Sequence, residues 1–322
     1  MDALSEVLRA IEIESAFFYQ GEFSAPWSFR SPESCKLAPY IHDTDGHVIV
    51  YHLLTEGSAV AKLEDGTRLA LGAGDIVIFP HGDPHCLESG DAGRSVDGES
   101  ALQKIFSDGL KVSRMGGGGE LTRFVCGYMV FEPELSRVVL NGLPAVFKVN
   151  IRTDASGRWL EDSIRHSITQ AGVSDAGSKA VLAKLCETLF AETLRRYVGL
   201  SPLQQRSWLA GVLDPEIGKV LALMHRQPAT PWTLARLAQE AGMSRSVLAA
   251  RFRHFLGEPP VAYLTRWRMQ VGARMLAKTS HSVARISAEV GYESEAAFNR
   301  AFKRQFGEPP ARYRGLAKGA AG

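Results

Sequence analysis

Residues 203–322 hold 18 Lys and Arg against 8 Asp and Glu, a net +10, whereas residues 1–202 hold 19 against 27, a net −8. The chemistry available to the basic half is neutralisation of a polyanion, because each cation placed on a phosphate releases condensed counterions. Cys35, Cys86, Cys126 and Cys186 are the four cysteines, and no two stand at a CxxC spacing. That spacing disfavours a structural zinc site and a secreted disulfide framework and leaves reduced thiols as the expectation.

Cationic side chains read DNA only from an element that fits a groove, and the basic half supplies two. LARLAQEAGMSRSVLAARFRHFLGEPPVAY from Leu234 is repeated as VARISAEVGYESEAAFNRAFKRQFGEPPARY from Val283. Leu234, Leu237 and Gly242 match Val283, Ile286 and Gly291 at an offset of 49, and Leu248, Phe252, Gly257 and Tyr263 match Phe298, Phe302, Gly307 and Tyr313 at 50. Each copy predicts a short amphipathic helix, a glycine-centred turn and a second helix capped by Ser244 or Ser294, which is the helix-turn-helix pattern. Tyr263 to Lys278 predicts one helix joining the copies, able to hold their second helices about one duplex turn, roughly 34 Å, apart.

The acidic half reads differently. Short apolar alternation from Gly46 to Cys86, with turns at Asp65-Gly66 and Gly72-Ala73-Gly74-Asp75, predicts strands. Further strands are expected near Phe124 to Phe131 and Val138 to Leu140, a mobile polar loop from Ser89 to Glu120, and helices near Arg158 to Ala171 and Ser178 to Val198. The apolar stripe of the second helix, Val181, Leu182, Leu185, Leu189, Phe190, Leu194 and Tyr197, would bury against the sheet or pair two subunits. A chain of 322 residues with 45% hydrophobic and 22% charged residues suits two soluble domains, and no stretch approaches the ~18 apolar residues of a membrane span. The acidic N-terminus MDALSEVLRAIEIESAFFY is unlike an export signal, so a cytoplasmic location is expected.

The repeat and its closing GYESEAAFNRAFKRQFGEPPARYR resemble the DNA-binding domain of the AraC/XylS family of transcription regulators. GDIVIFPHGDPH, with His52 upstream, resembles the motifs of cupin barrels, and MDALSEVL, YHLLTEGSA and FVCGYM are similar to a reactive-chlorine-responsive subgroup of these regulators. The fold implied is α+β in two domains. Residues 1–200 would form a cupin-like double-stranded β-helix barrel with two following helices, a sensor and dimerisation domain. Residues 214–314 would form the all-α domain with two helix-turn-helix motifs, and residues 315–322 a flexible tail.

The resemblance places base readout at Arg245, Ser246, Ala249 and Ala250 in the first copy and at Glu295, Ala296, Asn299 and Arg300 in the second. Arg300 suits guanine and Asn299 adenine, whereas the alanines offer only methyl contacts. Arg251, Arg253, Lys303, Arg304 and Arg314 are expected at phosphates or as surface charge. In the barrel, His52 and His85 are candidates for a ligand or a metal, with Cys86, His81 or His47 assisting; a buried pair of neutral histidines is the alternative. Leu54 replaces the second histidine of metal-dependent cupins, so the facial triad is incomplete. Cys126 and Cys35 are candidate redox thiols. The implied partners are double-stranded DNA, an unidentified small-molecule or oxidant signal, a second copy of the chain and RNA polymerase; no cofactor is assigned. A cupin enzyme fused to a DNA-binding module and a constitutive DNA-binding protein on a scaffold barrel are the alternatives.

Overall fold

The computed structural model describes residues 4–5, 8, 13–34, 47–90, 96–107, 112–131, 140, 142–170, 178–200 and 208–319. The chain divides into two compact units, Glu12–Glu132 with Pro144–Ser201, and Pro202–Gly322 with Met1–Ile11 and Pro133–Leu143.

In the first unit, β1 (Ile13–Ser24), β3 (His47–Glu56), β6 (Asp75–Phe79), β9 (Ser113–Gly116), β10 (Leu121–Phe131) and β11 (Phe147–Asn150) make one sheet in the order β11-β6-β3-β10-β1-β9. A second sheet runs β5 (Arg68–Gly72), β4 (Ser58–Leu63), β7 (His85–Ser89), β2 (Trp27–Ser31) and β8 (Val96–Asp97). Their inner faces share one core that includes Phe23, Trp27, Phe29, Leu54, Leu71, Phe79, Leu87 and Phe124. Val48 to Leu54 are buried without alternation. Even-numbered residues fill the barrel, and Ile49, Tyr51 and Leu53 pack on the opposite face, so a period-two pattern gives way to a continuous apolar run. Helices α2 (Ala155–Gln170) and α3 (Ser178–Leu200) follow, and α3 packs along β1 and β11.

Several expectations change. The polar stretch from Ser89 to Glu120 contains β8, a helix α1 (Gly98–Ser107) and β9, because Ser24 and Arg30 backbone lies against Gly116 and Gly98 so closely that only glycine fits. The strand expected at Val138 to Leu140 falls outside the described residues except for Leu140, which is not in a strand, and the sheet is closed on that side by β11 instead. Leu189, Phe190 and Leu194 are buried within the chain, while Val181 is 59% exposed.

In the second unit the helices are α4 (Trp208–Leu213), α5 (Pro215–Arg226), α6 (Leu234–Glu240), α7 (Arg245–Leu256), α8 (Pro260–Lys278), α9 (Val283–Glu289), α10 (Glu295–Phe306) and α11 (Pro310–Gly319). The unit thus begins before residue 214, since Trp208, Leu209 and Val212 bury an apolar turn. Residues 315–319, expected in a flexible tail, continue α11.

Arg268 of α8 donates to the carbonyls of Pro228 (2.7 Å) and Thr230 (2.9 Å), in the loop between α5 and α6, and its guanidinium lies 5.9 Å from the ring of Tyr292 beside the second turn. The two turns therefore differ in their surroundings. A Cβ on Gly291 (φ +84°) would meet the Ala229 backbone at 2.7 Å, whereas one on Gly242 (φ +67°) would meet open space. Gly242→Ala should cost about 1 kcal/mol for the left-handed backbone alone, and Gly291→Ala about 1–3 kcal/mol more for displaced backbone. Urea unfolding of the two variants checks this, and equal costs would mean that the loop at Ala229 does not bear on the second turn.

Candidate nucleic-acid interface and barrel site

Both second helices of the motifs start as their sequence requires. Ser244 Oγ accepts the Val247 amide (3.3 Å) and Ser294 Oγ the Ala297 amide (3.2 Å), each satisfying a first-turn donor. Leu248 and Phe252 on α7, and Phe298 and Phe302 on α10, are fully buried. The opposite faces carry the residues named from sequence. Arg245, Ser246 and Ala250 are exposed with Ala249 half-buried; Glu295, Ala296 and Arg300 are exposed with Asn299 half-buried. Arg253, Lys303 and Arg304 are exposed as well.

Two cations expected at phosphates are engaged within the chain. Arg314 donates to the His281 carbonyl. Arg251 is bound by the carboxylates of Asp214 and Glu216, so its guanidinium is turned to the start of α5. Val247, 46% exposed on α7, was not singled out by sequence because its apolarity fits the buried stripe equally well.

In the barrel one cross-section is polar. Tyr19, Cys126 and His52 are register neighbours across β1, β10 and β3, and Ser31 faces His85 across β2 and β7. All five are at most 3% exposed. His85 Nδ1 lies 2.8 Å from the Asp83 carbonyl, which can only accept, so that nitrogen carries the proton. Neutral His85 then accepts at Nε2 from His52 Nε2–H (2.8 Å), and neutral His52 accepts at Nδ1 from the Cys126 thiol (2.9 Å). Burial and the neighbouring His85 hold His52 well below the usual imidazole value, and burial takes His85 down to about 4. Burial also pushes the Cys126 thiol up to about 12, against a smaller opposing effect of the Tyr19 hydroxyl. Thiol-to-imidazole-to-imidazole-to-carbonyl is thus a dry, neutral chain, stacked under Phe79, whose ring lies 3.5 Å from that of His85.

Among the described residues, His47 and Cys86 do not join the two imidazoles. His47 donates to the Pro80 carbonyl, and Cys86 lies next to inward-facing His85 on β7, which turns it to the other face. Among the described residues no group of three His, Cys, Asp or Glu side chains could hold an ion, and two imidazoles fall short of the triad such chemistry uses. Cys35 lies outside the described residues. Tyr19 and Ser31 were missed from sequence because FFYQGEFSAPWSFRS was not read as strands; Tyr128 lies in the expected strand Phe124 to Phe131 but was not singled out. The hydroxyls of Ser31 and Tyr128 are buried in the same polar layer, beside the Tyr19 hydroxyl.

A cupin model matches residues 2–199 and a helix-turn-helix domain model residues 237–315. A putative AraC-like transcription regulator of Streptomyces antibioticus is 32% identical over 98% of this chain and 98% of its own. The chain belongs to the AraC-like transcription regulators with an N-terminal cupin domain. The HTH-type transcriptional regulator AlkR of Acinetobacter baylyi is 28% identical over 98% of this chain and 99% of its own length. The RCS-specific HTH-type transcriptional activator RclR of Escherichia coli is 30% identical over 83% and 84%. This AraC-like regulator is therefore a DNA-binding protein with a sensing domain, and no helix among its described residues is long and apolar enough to cross a membrane.

The neutral histidines set a sign for the pH dependence of stability. Their folded pKa values lie below the unfolded value of about 6.5, so the unfolded chain binds more protons as pH falls. Stability is full above about pH 6.5 and is lost as pH drops towards 4. His85→Gln should reduce the loss between pH 6.5 and 5 by about 1.4 kcal/mol per pH unit. Unfolding free energies measured across that range test it, and an unchanged slope would place the titrating groups elsewhere.

Proposed function

We propose that residues 1–200 form a non-enzymatic receptor for a small molecule and that residues 208–314 read paired DNA sites in a homodimer. The observation that carries the reading half is the pair of serine-capped helices, each presenting a solvent-facing row opposite a buried apolar stripe. Arg245, Ser246, Ala249 and Ala250 meet one major-groove segment, and Glu295, Ala296, Asn299 and Arg300 the next. Arg253, Lys303 and Arg304 sit at phosphates, contributing affinity without sequence preference. Dimerisation uses the part of α3 left outside the intrachain core, where Val181 and Leu200 are 59% and 73% exposed. Bound at its sites in the cytoplasm, the protein acts through RNA polymerase.

The signal acts on the polar cross-section of the barrel, since a ligand favouring one arrangement of that layer shifts the protein towards it. A second reading is oxidation at Cys126, whose sulfur lies 2.9 Å from His52 Nδ1, so that a change at the sulfur acts directly on the polar layer. The name of one relative, RCS-specific, agrees with an oxidant. Binding of the full chain to its operator with and without hypochlorite, for wild type and Cys126→Ser, separates the two readings: a response that the substitution removes favours the thiol.

Replacement of the strongest reader gives the direct test. Arg300→Ala should lose about 1–3 kcal/mol at cognate sites, roughly 5- to 150-fold, while weak salt-sensitive binding to other DNA persists. Genome-wide mapping of bound sites checks it, and an unchanged site preference would remove Arg300 from base readout.

A further inference from the structure

The two copies of the motif diverge at one position of the reading helix. Ala301 in α10 is 8% exposed and joins the apolar cluster of Met269, Ala273, Phe298 and Phe302. Fifty residues earlier, the matching residue of α7 is Arg251. A guanidinium cannot join such a cluster without losing its hydration, so it needs partners where it lies. The structure supplies two: Arg251 Nη2 bonds Asp214 Oδ2 and, at 3.1 Å, Glu216 Oε2. Asp214 is also the N-cap of α5, its other oxygen accepting the Ile217 amide at 2.9 Å. The middle of α7 is thereby tied to the first turn of α5, one residue after the outward-facing Ala250.

The outward face of α7 makes this tie consequential. Ser246, Ala249 and Ala250 offer a hydroxyl and two methyls, groups that touch a base edge only when the helix backbone is close. Arg300 on α10 can reach across a gap of an ångström or two, and an alanine cannot. We propose that Arg251 is a positioning residue of the first reader: its ion pairs with Asp214 and Glu216 set the seat of α7 in the groove and so its sequence selectivity, and it makes no phosphate contact. This rests on the base-reading assignment of α7 made above.

The two roles of Arg251 differ in sign for the carboxylates and in salt dependence. A phosphate-seeking arginine would be held back by Asp214 and Glu216, so neutralising one of them would tighten binding; a positioning arginine needs them. The experiment measures affinity of the full chain for its chromosomal operator, and for operators altered beneath α7 or beneath α10, over a series of salt concentrations. Glu216→Gln is the leading variant, being isosteric and at a side chain 41% exposed. Arg251→Met and Arg251→Lys accompany it.

Glu216→Gln and Arg251→Met should weaken the cognate complex by about 5- to 20-fold with an unchanged salt slope. The loss should vanish on operators already altered beneath α7 and persist on those altered beneath α10. Arg251→Lys, which keeps the charge, should recover part of the loss. Tighter binding by Glu216→Gln would overturn the proposal, as would a salt slope about one unit shallower in Arg251→Met with equal loss on all sequences. Wild-type discrimination beneath α7 that both variants retain would overturn the positioning role alone. Indifference of the wild type to changes beneath α7 would overturn the base-reading assignment along with it.

Discussion

Arg268 lies where the two halves of the DNA-reading unit meet. From the middle of α8 it closes on the Pro228 and Thr230 carbonyls, in the loop that leads into the first copy, and lies beside Tyr292 of the second. Hydrogen bonds from a charged donor contribute about 1.5–3 kcal/mol each, and the fork of a guanidinium fixes direction as well as distance. Without this brace α8 would still join the copies, but the loop before the first copy would not be seated against the second turn, where Gly291 allows the approach of Ala229. The relation between the two helix-turn-helix copies thus involves packing and not covalent linkage alone.

On that frame the repeat has been modified unequally. The second copy keeps an apolar inner face and places Asn299 and Arg300 outside. The first carries small residues outside and a charged residue at the position where its counterpart is buried. A reader built of methyls and hydroxyls depends on being held in place, whereas one built of long polar side chains tolerates more play. The barrel repeats the logic of a polar element inside an apolar wall. Its histidines are neutral because they are buried, and burial is acceptable because each ring nitrogen has a partner.

Much of the helical unit was legible in the sequence. The offset repeat, the serine caps and the glycine turns are local signals, and Ser244, Ser294, Gly242 and Gly291 stand in the expected roles. Arg251 was not legible: nothing in its neighbourhood distinguishes a phosphate clamp from an ion pair, because Asp214 and Glu216 lie 37 and 35 residues away. The barrel was legible from Val48 to Leu87 through its turns. β1, β2 and β11 were not, because their partners are distant in sequence, Ser24 of β1 facing Leu121, Ser31 of β2 facing His85 and Phe147 of β11 facing Ile78, and the segments carry little alternation of their own. His52 and His85 were found through a motif; Tyr19 and Ser31 share their layer only through cross-strand register, which sequence does not display.

Fixed spacing of two unequal readers is the central claim, and changing the DNA tests it more directly than changing the protein. One base pair inserted between the two recognised segments of the operator moves the second by about 3.4 Å and rotates it by roughly a tenth of a turn. Affinity of the full chain for that operator should fall close to its affinity for unrelated DNA of equal length. Binding as tight as to the natural operator would contradict a rigid frame and make α8 a tether.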